Sequence, residues 1–355
     1  MKAAQIIALQ LERLRRYNLQ RHPHLEQLFW ESTLRCNARC RHCGSDCVAS
    51  EVHPDMPAED FLRVLDEQVT PNVDPHQVLI VISGGEPLMR KDLEQVGQQI
   101  YDRGYPWGFV TNGIALTEKR FRALRGAGLS SMSISFDGLE DDHIWLRRHP
   151  LAFEGATRSI ILAAAERHFA WDVITCVTPR IINKLPQIQE YLWFLGVRQW
   201  RLVSIEPMGR AETNPELLLT DEQLRQLMDF ILTERAQGRQ VYYGCSGFLG
   251  EYEGRVRNHL HHCAAGLTVA SILIDGSISA CTSIRGKYYQ GNIYEDQFWE
   301  VWTNRFQPYR DRVWMHRSSP CRDCAMWKYC EGDGLHLRRE NGSLMRCHYR
   351  QLHHL

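Results

Sequence analysis

The chain has 355 residues, 44% of them hydrophobic, with 42 Lys plus Arg against 42 Asp plus Glu. A formal charge of zero leaves no global field to hold nucleic acid or an anionic membrane. No apolar run approaches the roughly 18–20 residues that a membrane-spanning helix needs.

Taken in order, residues 1–27 open with MKAAQIIALQLERLRR, an amphipathic helical pattern. Its apolar stretch is broken by Gln10, Glu12 and Arg13 and carries no small-residue cleavage site, so a cytoplasmic protein is expected. Strand-like and helix-like runs then alternate. Strands are expected at 25–33, 77–83, 107–113, 131–138, 170–177 and 199–207, and helices at 90–104, 116–128, 153–168 and 184–196. A further helix over 220–238 begins with TDEQ, a capping signature. Six β-α units predict parallel strands covered by helices, in an α/β fold. A partial (β/α)6 TIM-like barrel and a doubly wound sheet both fit, and both put chemistry at the C-terminal ends of the strands. The loops CNARC, GGEP, TNG and SFDG all fall there. Residues 28–240 are read as this domain and 241–355 as a loop-rich extension with a hairpin over 267–284, turned at Asp275-Gly276.

The chain has 12 cysteines, four between Cys36 and Cys47, seven between Cys245 and Cys347, and Cys176 alone. Without an export signal, close-spaced cysteines point to metal rather than disulfides. Cys36, Cys40 and Cys43 form C-x3-C-x2-C, which supplies three thiolates to a four-iron cubane and leaves one iron open. The alternative is a zinc site completed by Cys47 or His42. Cys176, in VITCV, reads as a core residue.

CNARCRHC after the first strand, GGEP after the second and SISFDG after the fourth resemble the radical S-adenosylmethionine superfamily over about residues 28–210. The resemblance implies that Cys36, Cys40 and Cys43 hold a 4Fe–4S cluster whose open iron chelates S-adenosylmethionine (SAM). An electron from the cluster then cleaves SAM, and the radical formed abstracts hydrogen from substrate. By the same resemblance, Gly84, Gly85 and Glu86 match the loop that meets the methionine amino group, Ser135 lies near the cofactor and Arg147 meets its carboxylate. His42 holds the position of a cofactor-contacting ring. Asn112 and Glu206 are expected at the same mouth, and Asp137 as a turn residue.

The C-terminal cysteines resemble the SPASM extension of radical peptide-modifying enzymes. Cys263, Gly276 and Cys281 fit its first part, and Cys321, Cys324, Cys330 and Cys347 its second. The pattern implies an outer auxiliary cluster on those last four thiols. An inner one would use Cys245, Cys263 and Cys281 and lack a ligand, because Gly334 stands where the pattern has cysteine. Asp333, His336, His261 and His262 are candidates for the vacancy. Zinc stapling remains the alternative.

SPASM enzymes mostly modify peptides or proteins, and some act on tetrapyrroles. Thr282 follows the hairpin cysteine where sulfatase-maturing members carry aspartate, which argues against formylglycine formation. GCSGFLGEYEGRVR, GNIYEDQFWEVW and CEGDGLHLR resemble a lipoprotein-associated SPASM group. The expectation is a peptide maturase acting on a ribosomal precursor peptide or lipoprotein, with flavodoxin or ferredoxin as electron donor. A tetrapyrrole or small-molecule oxidoreductase and a non-catalytic electron-transfer scaffold are the alternatives.

Overall fold

Short apolar runs bounded by Gly, Asn and Asp become parallel strands because each can bury both faces beneath a helix. In the computed structural model, which describes residues 2–45, 47, 54–244, 247–284, 286–317 and 320–353, there are seven in succession. They are β1 (Gln27–Thr33), β2 (Leu79–Gly84), β3 (Trp107–Thr111), β4 (Leu129–Ser135), β5 (Ala170–Val177), β6 (Gln199–Ser204) and β7 (Gln240–Tyr243). Neighbours in sequence are neighbours in the sheet, all parallel. A doubly wound sheet would reverse its order at a switch point. This one never does, which leaves the partial TIM-like barrel.

Among the described residues, the helices of seven residues or more that cover or flank it are α1 (Ala3–Arg21), α2 (Ala58–Val64), α3 (Leu93–Asp102), α4 (Glu118–Gly126), α5 (Glu140–Arg147), α6 (Ala152–Ala165), α7 (Leu185–Phe194) and α8 (Asp221–Ala236). On α3, Leu93, Val96, Gly97 and Ile100 form the buried stripe. Gly97 is required there, because a Cβ would lie 2.2 Å from the Trp107 ring on β3. The expected capping box starts α8: Thr220 Oγ1 accepts from Gln223 N (3.2 Å) and Gln223 Oε1 accepts from Thr220 N (3.0 Å).

The C-terminal region extends the same sheet. β8 (Val269–Ile272) pairs in parallel with the free edge of β1, and β9 (Ser277–Ser279) and β10 (Gly291–Asn292) follow antiparallel. The hairpin turns at Gly276, whose φ is 84°. The sheet therefore runs through ten strands, and the chain near residue 240 enters β7. α1 also docks on the C-terminal region: Leu9 packs with Phe248 and Tyr329, and Arg16 Nη1 donates to Tyr329 O at 2.8 Å.

Candidate active site

The loop after β1 carries Cys36, Cys40 and Cys43 and is held from four directions. GGEP at the end of β2 is zipped to it: Gly85 N donates to Thr33 O (2.7 Å) and Glu86 N to Arg35 O (2.9 Å). A Cβ on Gly84 would stand 2.0 Å from Thr33 O, and one on Gly85 2.2 Å from Arg35 O. The glycines are thus demanded by close backbone packing against the cysteine loop, a cause the motif alone did not reveal. Glu86 is buried and accepts from Thr111 Oγ1 (2.8 Å), Asn112 N (2.8 Å) and Leu88 N (3.2 Å). Burial pushes its carboxyl up, and these donors only partly offset that.

From β3, Asn112 Nδ2 donates to Asn37 Oδ1 at 2.8 Å and faces Cys36 Sγ at 3.9 Å. From the end of α5, Arg147 Nη1 approaches Cys40 Sγ at 3.8 Å, while its Nε donates to Asp137 Oδ2 at 2.5 Å. Asp137 is more than a turn residue: it is fully buried, takes Cys176 N on Oδ1 (2.8 Å), and donates its own N–H to His143 Nδ1 (2.8 Å). Burial acts to raise its carboxyl, but Arg147 holds it below its ordinary value.

The fourth hold was not legible in the sequence. Arg210, after β6, donates from Nε to Cys40 O (2.7 Å) and from Nη1 to Cys47 O (2.8 Å), and its backbone N donates to Cys43 O (3.0 Å). Gly209 permits this approach, since a Cβ would lie 2.5 Å from Cys43 O.

The three cysteines face a cavity of about 240 Å³ shared with His42, Cys47, Gly84, Gly85, Glu86, Asn112, Ser135 and Arg147. Burial pushes the Cys36 thiol up to about 12. Burial, then the charge of Arg147, hold His42 neutral, down to about 4. Its Nδ1 is buried without a partner among the described residues. Glu206 does not share this mouth as expected. It turns to the C-terminal segment, accepting from Ser204 Oγ (2.8 Å) beside His348 Nε2 (3.4 Å) and Arg346 Nη1 (3.8 Å). Burial alone would raise its carboxyl, but the contacts with His348 and then Arg346 bring it down to about 2.

Cys321, Cys324, Cys330 and Cys347 line one small cavity walled by Phe248, Met326, Trp327 and Leu344. No three Cys, His, Asp or Glu side chains among the described residues group as ligands of a single metal ion. Four thiols around one apolar-walled cavity match the four corners of a cubane cluster.

Of the inner set, Cys245 lies outside the described residues, while Cys263 and Cys281 are half-buried against the main core. The four candidates for the vacant position separate. His262 pairs with Glu12 at 3.2 Å, and His336 lines a different, larger cleft. Asp333 Oδ1 accepts from Phe248 N (2.9 Å) and Gly334 N (3.0 Å), with His261 Nε2 at 3.6 Å. Its Oδ2 is buried without a partner among the described residues.

That larger cleft, about 750 Å³, is lined by Cys43 and Gly44, by Met208, by Thr282, Ser283 and Tyr288, and by Leu335, His336, Arg338 and Arg339.

Residues 30–192 match the Radical SAM superfamily, and residues 263–325 match SPASM, an iron-sulfur cluster-binding domain. The chain is 26% identical to AdoMet-dependent heme synthase of Methanosarcina barkeri, over 85% of this chain and 89% of that protein. It is 27% identical to mycofactocin maturase MftC of Mycolicibacterium smegmatis, over 86% and 76% respectively. Its fold superposes on anSMEcpe, solved with bound AdoMet and a peptide, with a TM-score of 0.71 at 17% identity, covering 94% of this chain and 95% of that one.

Proposed function

We propose, from the premise that this chain is a radical SAM enzyme carrying a SPASM domain, that it abstracts hydrogen from a peptide or protein segment seated in the 750 Å³ cleft. The observation that carries this reading is the lining of the cleft. It includes both Cys43, of the SAM-site triad, and Arg338, whose guanidinium touches Cys321 of the outer cysteine site.

Cys36, Cys40 and Cys43 would hold the 4Fe–4S cluster, and Cys321, Cys324, Cys330 and Cys347 an auxiliary one. When bound, the first cluster and SAM supply a hydrogen-abstracting radical. The chain's own residues do the rest. Asn112 and Arg147 each bring an N–H toward a cluster sulfur, as donors that orient and tune such ligands do. Gly84 and Gly85 bring bare main chain to the cavity wall, where it can accept from the amino group of SAM. His42, held neutral, packs a ring against the cofactor without adding charge. Ser135 lines the same wall with a hydroxyl. A cluster held by Cys321, Cys324, Cys330 and Cys347 would supply an acceptor for the second electron, with a flavodoxin- or ferredoxin-type donor in the cytoplasm providing the first.

Support for a peptide comes from the mixed lining: Glu212 and Glu340 stand among Arg338, Arg339, Met208 and Met345, so backbone, apolar and charged groups all find partners. A second reading, an iron-tetrapyrrole substrate, is favoured by the heme synthase relative that aligns over 89% of its length. Anaerobic reconstitution with dithionite and SAM tests the first step. Wild type should release 5′-deoxyadenosine, and Cys36→Ala/Cys40→Ala/Cys43→Ala should not. Failure of wild type to do so would defeat both readings. A visible-absorbance titration with iron-coproporphyrin then separates them, a saturable one-to-one spectral shift counting against the peptide.

A further inference from the structure

Arg338 is buried, yet it lines the substrate cleft on one side and reaches the outer cysteine cavity on the other. Its fork is fully engaged. Nε and Nη2 donate to Gly332 O (3.0 and 2.9 Å), Nη1 donates to Gly342 O (2.8 Å), and Nη2 also donates to Cys321 Sγ at 3.1 Å. Its guanidinium carbon lies 6.0 Å from the Trp314 ring, and Trp314 packs against Tyr288 on the cleft wall at 6.2 Å. Gly332 makes this placement possible: it turns the chain at φ 84°, and a Cβ there would stand 3.0 Å from Arg338 Nη2. Backbone carbonyls thus fix the direction of the fork, and one of its N–H groups meets the Cys321 sulfur.

We infer that Arg338 is a positioning residue that ties the wall of the substrate cleft to Cys321 and sets the potential of the outer auxiliary cluster. This rests on the proposed iron–sulfur reading of that site. The chemistry is general: hydrogen bonds and positive charge at a ligand sulfur stabilise the reduced, more negative state of a cluster and raise its potential. A cluster that collects an electron from the cleft needs that bias. A planar fork holds the donor in place as a flexible ammonium does not.

The test is an EPR-monitored redox titration of the reconstituted full-length chain. Cys36→Ala/Cys40→Ala/Cys43→Ala serves as background to remove the SAM-site signal. The outer signal is assigned by its disappearance on Cys321→Ala. Arg338→Met should keep the outer iron and sulfide while lowering the midpoint. The oxidised-to-reduced ratio at fixed potential should change at least tenfold, equivalent to about 59 mV for one electron. Arg338→Lys keeps the charge without the fork and should fall between Met and wild type. An unmoved midpoint in iron-replete Met and Lys variants would overturn the inference alone. If Arg338→Met sheds its iron, Arg338→Lys decides: a lowered midpoint supports the assignment and an unmoved one overturns it. Wild type without outer-site iron would overturn the iron–sulfur reading beneath it, a different result from an iron-replete cluster with unchanged potential.

Discussion

Replacing Asp137 with Ala tests whether the SAM-site wall is built around a buried ion pair. Asp137 is fully buried, and its partner Arg147 exposes only 11% of its side chain. The substitution removes the acceptor of Arg147 Nε and that of Cys176 N together. Breaking one partner of a buried pair leaves an uncompensated charge and typically costs about 3–5 kcal/mol. Part of this is recovered here, because Arg147 still faces Cys40 Sγ, so about 3 kcal/mol is expected. Asp137→Asn keeps an acceptor for Cys176 N but not the charge and should cost somewhat less. Urea denaturation of the metal-free chain followed by tryptophan fluorescence measures this, with the midpoint shifted at unchanged slope. Arg147→Met combined with Asp137→Ala should be less destabilised than the sum of the singles. A loss below about 1 kcal/mol for Asp137→Ala would refute the reasoning, since that is the worth of a solvated pair.

Two glycines on helices should respond oppositely. Gly97→Ala drives a Cβ into Trp107 and should cost about 1–3 kcal/mol, whereas Gly126→Ala meets nothing within 4 Å and should stabilise by about 0.5–1 kcal/mol; thermal melts of the two variants check both signs. Asp142, 3% exposed, accepts from Arg180 Nε (2.6 Å) and Lys184 Nζ (2.7 Å). Burial raises its carboxyl, but the two cations together hold it below its ordinary value. Its contribution is therefore present above the unfolded pKa near about 4 and is lost as pH falls through the lower folded value. Asp142→Asn should cost about 1 kcal/mol at pH 7, since its partners are half-exposed, and urea titrations should find that gap closing below about pH 4. Cys324→Ala should remove one cluster's worth of iron and sulfide, about four of each, while 5′-deoxyadenosine release in dithionite persists.

What the sequence made legible was local. CNARC, GGEP, TNG and SFDG each sit at a strand end, and each strand announced itself by a run of β-branched and aromatic residues. β7 was overlooked because Gln240–Tyr243 is only four residues long and follows α8 directly. The long-range holds had no signature. Arg210 reaches Cys40 across 170 positions, and Arg147 reaches Cys40 across 107. Such contacts exist only once the barrel has brought the strand ends together. Glu206 misled for a related reason. It follows β6 as expected, but the C-terminal segment supplies His348 and Arg346 and turns the carboxylate away from the mouth. The reason for Gly84 and Gly85 was likewise hidden, because the atoms a Cβ would strike belong to residues 33 and 35.

The central claim, that Cys36, Cys40 and Cys43 hold a cluster with one iron open to SAM, is tested most directly by EPR of the dithionite-reduced enzyme with and without SAM. The account predicts a signal whose line shape changes on adding SAM, with both the signal component and the change lost in Cys36→Ala/Cys40→Ala/Cys43→Ala. A wild-type spectrum indifferent to SAM, or a SAM-dependent change that survives in the triple variant, would contradict it.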